Sequence, residues 1–167
     1  METTIRLKNN IFFDHRGSFS PLSLKALDKN WLQSNVSFSL KKWTIRGLHY
    51  QRGEYEQSKL IKVISGKILD FVFDMRTENN SEIEFFEMAS GDEIYIPKGY
   101  AHGFITLEGN TIVQYLVDNT YNQPSEGNII WTKFTQIEDK IKTIEPNFDK
   151  ELITISDKDL IENETDL

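Results

Sequence analysis

Apolar and polar positions alternate in short runs along the chain, separated by turns rich in glycine, asparagine and serine. Ile5, Leu7, Ile11 and Phe13 alternate weakly and predict a short strand over 5–13, closed by the turn Asp14-His15-Arg16-Gly17. Leu22, Leu24, Leu27 and Trp31 have helical spacing and predict one short helix over 22–32. Ser37 to Leu40 alternates again, and Trp43-Thr44-Ile45 is a β-type run leading into Arg46-Gly47-Leu48-His49-Tyr50-Gln51. Two β-rich runs, Lys59 to Ile64 and Lys67 to Asp74, flank Ser65-Gly66 and predict a hairpin. Glu82 to Met88 reads as a further strand. A strand after Gly103 continues to Leu107, turns through Glu108-Gly109-Asn110 and returns as Thr111 to Val117, a second hairpin. Tyr121 to Gly127 reads as a loop, Asn128 to Trp131 as a short extended piece, and Thr135 to Ile141 as mixed. The acidic stretch 161–167 is expected to fray. Short β-runs at intervals of roughly 8–12 residues, with little helix, predict an all-β barrel or jelly roll.

These periods assign faces. Cross-strand partners share a face, so the first hairpin puts Lys59, Ile61, Val63, Ile68, Asp70 and Val72 on one side. A lysine and a carboxylate among apolar neighbours are a pair or a site, because burying either alone is costly. The second hairpin puts His102 and Tyr115 on a common face in either of its two nearest registers.

A chain of 167 residues with 38% apolar and 12% aromatic residues fits one domain with a real core, spanning 1–167. It has no cysteine, so catalytic chemistry must come from oxygen and nitrogen groups. No stretch approaches the roughly 18 apolar residues of a membrane span, the N-terminal segment is polar, and a soluble cytoplasmic protein is expected. A net charge of -7 argues against broad nucleic-acid binding, which needs surplus cations, but allows one anionic ligand held by a local group of Arg and Lys.

The hexapeptide Arg46 to Gln51 concentrates a cation, a chain-bending glycine and a histidine, and is the first candidate for the chemistry. Arg16 is either an anion contact or a solvated turn arginine. Taken alone, Tyr115 is core filler more often than an acid, and its shared face with His102 favours a site. His102 after a proline-glycine turn is as readily structural as functional, and a solvated carboxylate is the default for Asp159.

Gly91, Pro97, Gly99 and His102 match the second motif of cupins, whereas the first motif fails at Gln51, where a second histidine would stand. That departure favours a cupin without metal. More specifically, the chain resembles the dTDP-4-dehydrorhamnose 3,5-epimerase family. The matching pieces, in order, are Arg46 to Gln51, Ser58-Lys59-Leu60, Gly66 with Asp70, Asp74-Met75-Arg76, Ile96 to Phe104, Tyr115, Tyr121, Glu126-Gly127, Trp131 and Ser156-Asp157-Lys158-Asp159, covering about residues 12 to 160. The resemblance implies an all-β, cupin-type jelly-roll barrel with a few short helices. It implies a cofactor-free, metal-free homodimer acting on a nucleotide-diphosphate sugar. His49 would be the base, Asp159 its partner, Tyr115 the acid and Lys59 the cation near the enolate. Arg46, Gln51, Asp70, His102 and Tyr121 would line the substrate site, with Arg16 reaching the diphosphate across a dimer. The stretch after Arg76 departs from the family pattern: it lacks the expected proline, glycine and tryptophan.

The chemistry suits these residue types. A C4 ketone acidifies the C3 and C5 hydrogens of a hexose, so both centres invert through an enolate. Histidine, with a reference pKa of roughly 6.5, is a base near neutrality, and tyrosine, at about 10, is a proton donor. An ammonium such as Lys59 stabilises the enolate oxygen. A keto-sugar isomerase, a metal-dependent cupin oxygenase and a non-catalytic sugar-nucleotide binding module are the competing readings.

Overall fold

The computed structural model describes residues 2–7, 11–22, 24, 28–76 and 82–161. The strands are β1 (Ile5–Leu7), β2 (Phe12–Asp14), β3 (Gly17–Phe19), β4 (Gln33–Ser39), β5 (Ile45–Gln51), β6 (Lys59–Ser65), β7 (Lys67–Asp74), β8 (Ile83–Ala89), β9 (Glu93–Ile96), β10 (Tyr100–Thr106), β11 (Thr111–Val117) and β12 (Glu126–Asn128); among the described residues there are also short 3-10 turns and one α-helix, α1 (Thr135–Ile144). They form two five-stranded sheets, ordered β1-β9-β6-β11-β4 and β12-β5-β10-β7-β8, with β2-β3 as a separate hairpin. All pairings within these sheets are antiparallel. The architecture is the expected all-β jelly roll of cupin type.

The core explains why the strands are apolar on both sides. Ile61, Val63, Ile68, Val72, Ile94, Phe104 and Val113 meet between the two sheets. The alternate residues of β7 and β10, among them Leu69, Phe71, Phe73, Ala101 and Ile105, point outward onto α1 and the segments beside it. Ile137 and Ile141 of α1 are fully buried there, and the rings of Phe73 and Phe134 lie 4.9 Å apart. Each large side chain buried in this way contributes about 1.5–3 kcal/mol. The stretch Thr135 to Ile141, mixed in its sequence pattern, is the first part of α1; among charged residues only the Ile137, Ile141, Ile144 spacing marks its buried stripe.

Neither predicted hairpin forms. β6 pairs with β9 and β11, whereas β7 pairs with β8 and β10. Likewise β10 and β11 belong to opposite sheets. In each case the glycine turn carries the chain from one sheet to the other, because strands with two buried faces find better partners inside the packed sheets than in each other. The face assignments survive this correction, since residues that would share one face of a hairpin instead face each other across the barrel. The predicted strand over 5–13 is divided between β1 and β2, with residues 8–10 outside the described set. The helix expected over 22–32 falls partly on undescribed residues; residues 28–32 are not helical, and Asp28 adopts a φ of 45° before the chain enters β4. Of the stretch expected to fray, 162–167 lie outside the described residues. Among those described, no helix is long and apolar enough to cross a membrane.

Candidate active site

A cavity of about 350 Å³ opens between the sheets, lined by residues from β4, β5, β6, β10, β11, β12 and the C-terminal segment. Its key wall depends on an irregularity in β5. His49 pairs with His102 and Arg46 with Phe104, so β5 spends one residue more than β10 between the two pairs. In a regular strand residues 46 and 49 would point to opposite faces; the bulge at Gly47-Leu48 lets both line the cavity. Gly47 has a φ of 106°, and a Cβ there would stand 2.5 Å from the His102 carbonyl oxygen and 2.6 Å from Gly103 Cα. Only glycine fits.

The same bulge seats a carboxylate. The Gly47 amide donates to Asp159 Oδ2 at 3.3 Å, and Asp159 Oδ1 lies 2.8 Å from His49 Nε2. Asp159 is buried in the 3-10 turn Asp157–Leu160, whose capping Ser156 side chain accepts from the Asp159 amide. Burial alone would push the Asp159 carboxyl up, but the His49 bond, the Gly47 amide and Ser156 outweigh it and hold the pKa below the ordinary carboxylate range. With Nε2 committed to Asp159, Nδ1 is the imidazole nitrogen left to take a proton.

Tyr115 faces this dyad from β11 in the opposite sheet. Its hydroxyl has no hydrogen-bond partner among the described residues, and burial raises its pKa although Arg46 and Lys158 pull the other way. Lys59, buried on β6, donates from Nζ to the His49 carbonyl oxygen at 3.1 Å. Burial lowers its pKa from 10.5 to about 8, partly opposed by Asp70 and Glu126. Both groups are therefore protonated at neutral pH.

His102 lines the cavity with Asp70 behind it: Nε2 lies 2.7 Å from Asp70 Oδ2, and Asp70 is wholly buried. Asp70 Oδ1 is buried without a hydrogen-bond partner among the described residues. Burial depresses the His102 pKa against the pull of Asp70, which keeps the ring neutral. Among the described residues no group of three or more His, Cys, Asp or Glu is arranged to hold a metal ion.

At the rim, Arg46 donates to Phe38 O at 3.0 Å and Ser39 Oγ at 3.2 Å, and Gln51 Oε1 accepts from the Asn122 amide at 3.0 Å. Glu126 receives Lys158 Nζ at 2.6 Å on one oxygen and the Tyr121 hydroxyl at 2.9 Å on the other.

A family model described as dTDP-4-dehydrorhamnose 3,5-epimerase matches residues 1–165. The chain belongs to this family. It is 35% identical to the dTDP-4-dehydrorhamnose 3,5-epimerase of Salmonella typhimurium over 136 residues, covering 75% of this chain and 74% of that one. Identity to the Escherichia coli enzyme is 34% over 142 residues, covering 78% and 76%. Among solved structures, the Bacillus anthracis enzyme with TDP and PPi bound is similar with a TM-score of 0.75 at 32% identity, covering 96% and 93% of the two chains. The Sulfolobus tokodaii enzyme gives 0.78 at 33%, covering 94% and 87%. This chain is thus an isomerase of the sugar-nucleotide epimerase class.

Of the residues the sequence of this family member singles out, His49, Asp159, Tyr115, Lys59, Arg46, Gln51, His102 and Tyr121 all line the one cavity. Asp70 does not reach the wall; it supports His102 from behind. Arg16 lies away from the cavity of its own chain, exposed on the β2-β3 hairpin and paired with Asp14 at 2.6 Å. Glu126 and Lys158 also line the cavity without having been singled out. Reading 121–127 as a loop hides Glu126, which opens β12, pairs with Gln51 and is turned inward by strand parity, while Lys158 lies beside Asp159 in the 3-10 turn Asp157–Leu160, which has no period to place it.

Proposed function

We propose that this epimerase inverts C3, C5 or both centres of a nucleotide-linked 4-keto-6-deoxy sugar, with His49 as base and Tyr115 as acid. The observation that carries the reading is that the two groups come from opposite sheets and meet across a single cavity, which is what protonation on the face opposite abstraction requires. His49 Nδ1 takes the proton from carbon, and the electrons pass to the C4 ketone oxygen as an enolate. Asp159 holds the tautomer and stabilises the imidazolium. The buried Lys59 ammonium stabilises the enolate oxygen. Tyr115 returns a proton to the far face. Protons in and out balance and no electrons are exchanged, so the step needs no cofactor.

The nucleotide diphosphate occupies the open end, where Arg46 and Lys158 supply positive charge and the half-exposed ring of Tyr121 offers a stacking surface. Arg16 acts in trans in a homodimer. Exposed Phe12, Phe13 and Phe19 on its hairpin, and Val36 and Phe38 on edge strand β4, support a second copy covering this face.

The test is deuterium incorporation from D2O into dTDP-4-keto-6-deoxyglucose, read by NMR and mass spectrometry. Incorporation with inversion is expected at one or both centres. Tyr115→Phe should retain wash-in at carbon without inversion, and His49→Ala should abolish both. No exchange with dTDP-, GDP- or CDP-linked keto-sugars, or exchange that survives His49→Ala, would overturn the assignment.

A further inference from the structure

Asp159 is carried on a four-residue turn, and so short an element cannot fix its own position. Its exposed tie, Lys158 to Glu126, leaves Lys158 half in solvent and holds weakly. The buried tie is Asn128. Its amide nitrogen donates to Ile161 O at 2.9 Å, with a longer contact to Lys158 O at 3.5 Å, and these two residues bracket Asp159 in the chain. Asn128 is also the ladder partner of His49 in the β12-β5 pairing. Cross-strand partners share a face, so its amide emerges beside the imidazole, on the side where the turn lies. Asn128 is 1% exposed, and its Oδ1 is buried without a hydrogen-bond partner among the described residues. An unpaired buried acceptor lowers stability, and an apolar side chain of similar size would avoid that cost. Placement of the turn is what the amide supplies in return.

We propose that Asn128 is a positioning residue for the base, setting the distance between Asp159 and His49 by anchoring the turn. This rests on the reading of His49 and Asp159 as the catalytic dyad. Asn128→Leu keeps the volume and removes the donor. It should lower kcat by about 10- to 100-fold, as misplacement of a catalytic group does, with KM within about twofold of wild type and thermal stability unchanged or raised. The double variant should be no slower than Asp159→Asn alone. Asn128→Ala, read in the same assays, stands in if the leucine variant does not fold. Wild-type kcat in these variants, or effects that multiply with Asp159→Asn, would overturn the proposal. Retained activity in a parallel His49→Ala control would instead overturn the underlying dyad, whatever Asn128 does.

Discussion

Asp70 does not line the cavity itself, yet in the proposed mechanism its charge sets the alkaline limit of activity through Lys59. In the proposed mechanism Lys59 works as an ammonium, and its pKa of about 8 reflects burial pushing down and Asp70, with Glu126, pulling up. The charged form is present below that value and lost as pH rises through it, so wild-type kcat should fall on the alkaline side near pH 8. Asp70→Asn keeps an acceptor for His102 Nε2 and removes the anion. His102 is neutral with Asp70 present and stays neutral without it, since losing an anion lowers an imidazole further. Of Lys59 and His102, only Lys59 changes its charge on the alkaline side.

Loss of a neighbouring anion lowers a buried lysine by on the order of one pH unit, which takes Lys59 from about 8 to roughly 7. The charged fraction then falls from roughly three quarters to one quarter at pH 7.5, and from roughly one quarter to about 3% at pH 8.5. Activity of Asp70→Asn should therefore be about threefold down at pH 7.5, about eightfold down at pH 8.5 and close to wild type at pH 6. The assay is a kcat profile from pH 6 to 9.5, with the Lys59 Cε resonance titrated by NMR alongside. Tyr115, raised above its ordinary value, titrates outside this window and does not obscure the limb. A uniform loss across all pH values, or a limb that stays in place, would refute the coupling and leave Asp70 as packing behind His102.

Lys59→Met should lower kcat by about a hundredfold or more while raising thermal stability. Below about pH 8 both folded and unfolded chains hold the Lys59 proton and the fold bears the cost of the lowered pKa, as much as about 3 kcal/mol, which fades as pH rises toward 10.5. A melting temperature several degrees above wild type at pH 7, converging at high pH, checks this. Gly47→Ala drives a methyl group into the His102 carbonyl at a positive φ, and should cost about 2–4 kcal/mol in denaturant unfolding together with activity. Glu126→Gln removes the carboxylate that Lys158 and Tyr121 share. Because it lies at the rim, KM for the nucleotide sugar should rise severalfold, while exchange at saturating substrate stays near wild type at pH 6, where Lys59 is charged with or without Glu126.

The sequence shows which side chains face the cavity better than it shows how the strands pair. Period-two parity puts Lys59 on one face with Asp70 and His102 on one face with Tyr115; Lys59, His102 and Tyr115 line the cavity and Asp70 lies behind His102, although β6 and β7 never pair and nor do β10 and β11. Parity depends only on how the backbone alternates along a strand and on the glycine turn between two strands. Pairing depends on which other strands compete for the same edge, information spread over the whole chain. Glycine at 66, with a φ of 87°, marks a sharp change of direction in either case, and so cannot distinguish a hairpin from a crossing between sheets.

The same limit explains what local patterning does not reveal about the dyad. Arg46 and His49 are an odd number of residues apart, so alternation alone predicts opposite faces, and only the bulge at Gly47-Leu48 brings them together. The bulge is visible in the sequence only as a glycine. Its freed amide binds Asp159, which lies 112 residues further on in a polar segment with no period to place it. Family resemblance, carrying the long-range pairing that local patterns omit, was what singled out Asp159. Asn128 lacked even that signal: its role emerges only when the β12-β5 register sets it beside His49 and the returning C-terminal turn lays two carbonyls against its amide. Residues that act on substrate are found by chemical type, whereas residues that hold them in place are found by geometry, and in this chain both kinds meet at a single bulge.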